Sequence, residues 1–367
     1  MTVRVYRSTD ASAPVLTGQV GKLTDLLDAI LVNGYGSMTA AGWTIEYTTT
    51  NKRAYKQNLT GSNNTSGMRL YVDDTGPGAG GAKEARACGF ETMSAITPTG
   101  TGQFPTSSQS SIGVGTLVIR KSTTADATAR AWTCIANGQT IYLFIETGDT
   151  TVPLAAFPFV FGDFKSFKAS DQYAVTIIGR NAENSGSATN DPLHIIGAAT
   201  NLVYDLHNVL MGHFVARHWT GSGGSIKVGK MVDVGKFMYN NINTGMMGGW
   251  NSDTQTAGYA SAWVALGRNA GGQSNSTAAP WPYPNGPDGA LWLSPIFLNH
   301  SFALRGYLGG LWAPLHDRPL GHNDTLTFSG GNLNGKSMVA QNIPAYIQSS
   351  ANGDAGQVLA ETSDTWT

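Results

Sequence analysis

Four carboxylates in the first quarter of the chain have the chemistry that a glycoside hydrolase needs. They are Asp73, Asp74, Glu84 and Glu91. A glycosidase places two acids on opposite sides of the bond that it cleaves. Asp73 and Asp74 are adjacent, so on a strand they point to opposite faces, and the DTG sequence that begins at Asp74 is typical of a turn. The spacing therefore does not favour a sugar-cleaving site.

The histidines have the wrong spacing for a helical metal site. His207, His213 and His218 are the most closely grouped of the seven. A helical pair of ligands needs a spacing of four residues, as in H-E-x-x-H, and that motif is absent. The chain also lacks G-x-S-x-G and a glycine-rich loop followed by Lys-Ser/Thr. We expect scattered structural histidines, no catalytic residues, no cofactor and no bound metal, and therefore no enzymatic activity.

Aromatic residues with polar neighbours form the strongest candidate contact surface. Trp281, Tyr283 and Asn285 lie in one short segment, and Trp312 follows in a second aromatic run. Exposed Trp and Tyr beside Asn can stack on sugar rings, which would suit a host-surface glycan. The same residue types are enriched at protein–protein interfaces. We predict an interface for these four residues, with glycan contact as the alternative.

The composition argues against a nucleic-acid binder. The chain has 367 residues, with 23 Lys+Arg against 24 Asp+Glu, so there is no basic surplus. Charged residues make up only 13%, whereas glycine occurs 46 times. This composition favours many short strands joined by tight turns, and a surface that neighbouring subunits cover.

The remaining sequence signals indicate a protein made in a cytoplasm, without a membrane span. The first residues lack the apolar core of a signal peptide, and no apolar run approaches the length of a transmembrane helix. The two cysteines, Cys88 and Cys134, are too few for a disulfide framework in a chain of this length. We expect both to be small buried apolar residues.

One helix and a series of strands would position these residues. Apolar residues at helical spacing between Val20 and Leu31 predict an amphipathic helix that starts near Thr17 and stops at Asn33-Gly34. Thr97 to Ser111 has low complexity and is predicted to be a loop. Alternating or apolar segments predict strands at residues 43–48, 51–56, 68–73, 84–90, 117–121, 131–136 and 140–146.

A phenylalanine-rich stretch completes this half of the chain. Phe157, Phe159 and Phe161 alternate before Gly162-Asp163, and a second strand resumes at residues 173–179. Pro158 lacks an N–H, which indicates a sheet edge at that point. We expect the three rings to be buried, the Gly-Asp pair to lie at a strand end, and the two strands to pair antiparallel.

The predicted fold class is α+β and predominantly β, with antiparallel sheets, one N-terminal amphipathic helix and a turn-rich C-terminal β region. The predicted division is an extended arm at 1–16, an α+β domain at 17–180, a linker loop at 181–191 and a β-rich domain at 192–367. In the arm, Val3, Val5 and Tyr6 are candidates for inter-subunit contact. A simple edge strand of the same domain is the alternative interpretation.

Long strings of the sequence resemble a family of tailed-bacteriophage virion proteins, nearly from end to end. The strings are VYRSTDASAPVLTGQVGKLTDLLDAILVNGYGSMTAAGW from Val5, LYVDDTG from Leu70, GFETMS from Gly89, FPT from Phe104, RKSTTADATARAW from Arg120, FGDFKSF from Phe161, YPNGPDGALWLSPIFL from Tyr283, RGYLGGLWAPLH from Arg305 and ETSDTW from Glu361.

The resemblance implies a non-enzymatic structural subunit of the virion, commonly associated with the tail or neck. Such a subunit would form a homo-oligomer and assemble with other virion structural proteins of the tail, neck or baseplate, through its body and its two extended ends (residues 1–16 and about 352–367). The alternatives are a capsid-surface decoration protein and an adhesin that binds a host-surface glycan. No catalytic residues are implied, and a polysaccharide-degrading enzyme is the third possibility.

Overall fold

The structure is a computed structural model that describes most of the first half of the chain and parts of the second. The described residues are 2–59, 67–107, 114–149, 156–180, 183–184, 213–216, 219–221, 229–232, 293–300, 303–314, 320–344 and 355–366. None of the helices in these ranges has the length and apolar character needed to cross a membrane.

The described residues form a predominantly antiparallel β protein with one short α-helix near its start, α1 (Lys22–Leu27), which continues as a π-helical segment (Asp28–Asn33). The strands up to the phenylalanine stretch are β1 (Arg4–Arg7), β2 (Thr44–Thr49), β3 (Lys52–Lys56), β4 (Arg69–Asp73), β5 (Glu84–Phe90), β6 (Thr92–Ala95), β7 (Thr99–Thr101), β8 (Leu117–Arg120), β9 (Trp132–Ala136) and β10 (Thr140–Ile145). The later strands are β11 (Phe157–Asp163), β12 (Lys165–Ser166), β13 (Val175–Ile178), β14 (His213–Ala216), β15 (Gly229–Val232), β16 (Leu293–His300), β17 (Ala303–Pro314), β18 (Thr325–Thr327), β19 (Ser337–Pro344) and β20 (Ala355–Glu361).

The strands belong to three sheets. A 13-stranded sheet has the order β1-β9-β10-β11-β13-β14-β15-β16-β17-β20-β19-β18, with β12 paired to β17 off this path. A five-stranded sheet has the order β2-β3-β4-β5-β8, and β6 and β7 form a separate ribbon. The strands of the first half are therefore divided among the three sheets, and β8 pairs with β5 and not with β9, the strand that follows it.

A first hydrophobic core joins the helix to both large sheets. Leu23, Leu27 and Ile30 are fully buried in it, whereas Asp25 faces solvent. The same core holds one face of the five-stranded sheet and one face of β9 to β13, including Phe161. The helix thus lies over a sheet, since its apolar residues share a buried core with the strands.

A second core shows that the long sheet folds back on itself. Val160 and Ile178, from the middle of the sheet, pack in one cluster with Leu308 and Val358 from its far half. The predicted division at residues 181–191 therefore separates two parts that share one sheet and one core. Most of that predicted linker lies outside the described residues.

The phenylalanine stretch is buried as predicted. The rings of Phe157, Phe159 and Phe161 are each less than 5% exposed, and β11 ends at Asp163. β11 and β13 are antiparallel, also as predicted. Pro158 pairs with β10 on one side, and β13 stops two residues short of it on the other. The missing N–H therefore falls where no partner strand is present, which is a local edge of an interior strand.

Cys88 and Cys134 are both buried, as expected, and neither forms a disulfide.

The uncharged segment from Thr97 to Ser111 was predicted to be a loop, and this is wrong in part. β7 lies within the segment and pairs with β6, which precedes it. The ribbon covers a small third core through Met93. A three-residue Thr-Gly-Thr strand is too short to show an alternating pattern.

Candidate functional site

Only one of the four predicted aromatic contact residues lies in the described part of the chain. Trp281, Tyr283 and Asn285 fall outside the described residues. Trp312 lies on β17, opposite Pro295 on β16 and Leu359 on β20, and is half-buried. Its indole Nε1 is buried and has no hydrogen-bond acceptor among the described residues. Trp312 thus sits inside a sheet and presents only part of its ring.

The residues predicted as an inter-subunit arm form an edge strand of the chain's own sheet. Tyr6 is fully buried in the first core and its hydroxyl donates to the Thr39 carbonyl at 2.8 Å. Val3 is buried in the second core, and Val5 packs partly against that core. This arrangement matches the alternative interpretation, and it leaves Val3 and Tyr6 inaccessible to a neighbouring subunit.

The C-terminal end is also held by the body. β20 pairs with β17 on one side and β19 on the other. Beyond it, the Trp366 ring lies 5.0 Å from the Tyr142 ring and its Nε1 donates to the Glu361 carbonyl at 2.9 Å. Within the described residues, therefore, neither chain end is an extended arm.

The carboxylates Asp73 and Asp74 point to different environments, as the alternation predicted. Asp73 is near the surface, where Lys52 Nζ lies 2.8 Å from it and holds its pKa below the ordinary value together with Thr75. Asp74 is fully buried in an ion pair with Lys121. The two acids share no cleft, so the geometry gives no support to a glycosidase pair.

A histidine–carboxylate pair links the C-terminal end of β10 to the loop before β18. His322 Nε2 lies 3.0 Å from a Glu146 carboxylate oxygen, while His322 Nδ1 accepts the Asn342 amide proton at 3.0 Å. Because Nδ1 is an acceptor, the ring proton is on Nε2 and is donated to Glu146. Both nitrogens are occupied, so this imidazole holds structure and is not available as a general base. The parts of the chain that the structure describes contain no group of His, Cys, Asp and Glu suited to a metal ion.

Buried ion pairs fix loops to strands at two further places. Arg305 on β17 contacts Asp171 at 2.9 Å, and both side chains are at most 1% exposed. Asp171 also accepts from the Ser166 hydroxyl and the Tyr173 amide. The second pair, Asp74 with Lys121, anchors the start of α1, because Asp74 Oδ2 accepts the Leu23 amide at 2.7 Å. The side chains of both pairs are at most 1% exposed, so the pairs are enclosed by the fold.

Three strands at the ends of their sheets expose threonine-rich edges, and sequence reasoning did not identify them. β7 has the sequence TGT and all three residues are exposed, and β18 has the sequence TLT with both threonines exposed. β2, with the sequence TIEYTT, contains one charged residue, Glu46. Its carboxylate accepts hydrogen bonds from Arg69 Nε and Nη2 at 2.6 and 2.7 Å. In the described ranges, each of these strands has one strand neighbour in its sheet. The signal in the sequence is the local lack of charge.

An aromatic pair with one exposed ring lies beside the phenylalanine stretch. The Phe167 side chain is 55% exposed, and its ring centroid lies 5.9 Å from that of Tyr307 on β17. Phe167 differs from the buried Phe157, Phe159 and Phe161 because it follows β12 in a bend outside the strand.

The comparisons with known proteins identify no family. No protein-family profile matches the chain, and no curated protein is significantly similar to it.

Proposed function

We propose that this chain is a non-enzymatic structural subunit of a tailed-bacteriophage particle, located in the tail, neck or baseplate. In this role it assembles with copies of itself and with other virion proteins. The resemblance of its sequence strings to virion proteins supports the assignment of the chain to a phage particle. The exposed strand edges support the mode of assembly.

The observation that carries the proposal is the exposed, uncharged edge of β7 and of β18 in the described part of the chain. An edge strand presents unpaired N–H and C=O groups that can pair with another chain. Soluble proteins protect such edges with charged side chains, above all lysine, with proline, or by keeping the strand very short, and β7 and β18 have only their three-residue length. Thr99–Thr101 and Thr325–Thr327 contain neither a charged residue nor a proline. Edges of this kind suit strand addition by a neighbouring subunit.

The internal use of charge supports a structural role over an enzymatic one. Asp74 and Asp171 are committed to buried ion pairs, and both nitrogens of His322 are bonded within the fold. A general acid or base needs a titratable group that can reach a substrate. The described polar clusters are used to hold elements together.

The test is to place lysine on the two edges and follow assembly. In the double variant Thr99→Lys/Thr325→Lys, both substituted residues are exposed, so we expect the fold to be retained. Self-association of the pure protein, measured by sedimentation velocity over a concentration series, should weaken at least tenfold. Incorporation into particles produced in the host should fall in parallel. Thr128→Lys, at an exposed loop position, is the matched control.

Two results together would overturn the proposal. They are a wild-type protein that stays monomeric at the highest concentration, and an edge variant that enters particles as well as the Thr128→Lys control.

A host-glycan adhesin is the second candidate, favoured by the exposed ring of Phe167 in its pair with the half-buried Tyr307. An open aromatic face can stack on a sugar ring, and Phe167 is more than half exposed. Binding of the pure protein to host cells that is lost in Phe167→Ala, with sedimentation unchanged, would favour the adhesin over the assembly subunit.

A further inference from the structure

Asp74 and Lys121 form the most deeply enclosed charged contact in the described structure. Both side chains are 0% exposed and in direct contact. Lys121 Nζ also donates to the Gln19 carbonyl at 2.6 Å. Asp74 Oδ2 accepts the Leu23 amide at 2.7 Å, and the Thr24 amide donates to the same carboxylate. The amine is thus held against one carboxylate oxygen while backbone amides hold the group from the other side.

The sheet topology explains why residues 47 positions apart meet here. Asp74 directly follows β4, and Lys121 directly follows β8. Both strands pair antiparallel with β5, one on each side. β4 and β8 are therefore parallel to each other, and their C-terminal ends lie at the same end of the sheet. A contact between the residues that follow them bridges two strands that do not pair with each other.

Burial drives both groups toward their uncharged forms. It raises the pKa of Asp74 to about 6 and lowers the pKa of Lys121 below its ordinary value. Removing an ammonium and a carboxylate from water costs several kcal/mol for each ion, and the attraction between them offsets this only in part. A neutral amine beside a protonated acid is the pairing in which nitrogen can act as a nucleophile.

We propose that Lys121 Nζ and Asp74 Cγ condense into an intramolecular isopeptide bond. The new bond is Nζ–Cγ, and the bond that breaks is Cγ–Oδ1. Starting from ammonium and carboxylate, two of the three protons on Nζ leave with Oδ1 as one water molecule, and the amide keeps the third. The reaction needs no oxidant, activating group or external reactant.

The surrounding atoms assist each stage of this condensation. Nζ is in direct contact with the carboxylate and is also oriented by the Gln19 carbonyl, so the two reacting groups are already held together. As Nζ adds, negative charge develops on Oδ2, where the Leu23 amide already donates. The amide product replaces two buried charges with one neutral group. Because both side chains are closed to solvent, water has little access to the new amide once the released molecule has departed, and this opposes hydrolysis of the bond.

The test is the intact mass of the full-length folded protein, which does not depend on any variant. We expect a mass lower than the sequence mass by one water, and digestion under denaturing conditions should yield a branched peptide that joins the segments around Asp74 and Lys121. Lys121→Arg keeps the positive charge but lacks the amine, so it should restore the full mass. Lys83→Arg, at a partly exposed lysine whose backbone carbonyl accepts the Lys121 amide, should retain the loss of water.

A folded wild-type protein with the full sequence mass and separate linear peptides would overturn the proposal and leave an ordinary buried ion pair. Loss of water that persists in Lys121→Arg would overturn it as well, because the water would then come from another site. The proposal is independent of the role in a virion, since the mass is measured on the isolated chain.

Discussion

The backbone amide of Val3 donates a hydrogen bond to the carbonyl oxygen of Asp364 at 2.9 Å, so the first and last described segments of this chain are bonded to each other. The contact lies where β1 meets the segment after β20. Val3 and Ala360 belong to the same hydrophobic cluster, so the contact between the ends continues into the second core. Both ends are therefore structural parts of one body, and changes at either end should act on its stability.

The first prediction concerns Tyr6. Tyr6→Ala removes a fully buried ring and should lower the free energy of unfolding by about 3–5 kcal/mol, in the range of other aromatic truncations in protein cores. Tyr6→Phe removes only the hydroxyl bond to Thr39 and should cost about 1 kcal/mol. Urea denaturation, monitored by tryptophan fluorescence, would measure the free energy of unfolding of both variants.

The matched control for Tyr6 is Val15→Ala, at a side chain that is 60% exposed. It should change stability by less than about 0.5 kcal/mol. Equal, small effects of Tyr6→Ala and Val15→Ala would show that the N-terminal segment is a detachable arm after all. Deletion of residues 1–14 should destabilise the body, because it removes the buried side chains of Val3 and Tyr6.

The second prediction compares two glycines with nearly the same positive φ. Gly310 and Gly335 have φ of 73° and 77°, which L side chains rarely adopt. A Cβ on Gly310 would clash with the Trp366 ring, whereas a Cβ on Gly335 would meet no atom within 4 Å. Gly335→Ala should cost about 1 kcal/mol from backbone strain alone. Gly310→Ala should cost more, and thermal unfolding would measure the difference.

Trp366→Ala provides the test of cause for Gly310. If the extra cost comes from the indole ring, the effects of Gly310→Ala and Trp366→Ala will be less than additive, because the ring is absent in the double variant. Strict additivity would contradict the contact between the C-terminal ring and β17.

The local part of this fold was predictable because its signals are local. The sequence Asn137-Gly138, between two predicted strands, is a local signal for a hairpin turn, and the structure shows the reason, since Asn137 Oδ1 accepts the amides of Gln139 and Thr140. The burial of Phe159 and Phe161 followed from alternation and aromatic density. In each case neighbouring residues fix the structure among themselves.

The pairings between distant strands were not predictable, because no local pattern selects them. Nothing in the sequence near Lys121 indicates Asp74 as its partner, since they meet only when β4 and β8 both pair with β5. The same holds for His322 and Glu146, which are 176 positions apart. The sequence did predict that Asp73 and Asp74 face different sides. It could not predict that one of them would be enclosed with a lysine.

The third prediction is a pH dependence at Glu146. The hydrogen bond from His322 holds the pKa of Glu146 below its ordinary value of 4.5. A lowered carboxylate pKa in the folded state adds stability above pH 4.5, and that stability is lost as pH falls through the folded-state pKa. Because Glu146 is about one-third exposed, we expect a contribution of no more than ~1 kcal/mol.

Glu146→Gln keeps an oxygen acceptor for His322 but cannot ionise. Its stability should therefore be lower than that of the wild type near neutral pH, and the difference should shrink as pH falls below 4.5. Urea midpoints measured over this pH range would show it. A difference that stays constant with pH would mean that the carboxylate charge adds nothing to the bond with His322.

The last prediction separates a buried ion pair from a surface one. Arg305→Met leaves the Asp171 carboxylate enclosed without its cation and should cost about 3–5 kcal/mol. Adding Asp171→Asn removes the remaining charge, and its amide oxygen can still accept from Tyr173, so part of the loss should be recovered. Lys22→Met, which breaks the exposed pair with Asp25 at 2.8 Å, should cost less than about 1 kcal/mol. Urea unfolding of the wild type, the two single variants and the double variant would measure these differences. A double variant less stable than Arg305→Met alone would show that groups other than Arg305 compensate the charge of Asp171.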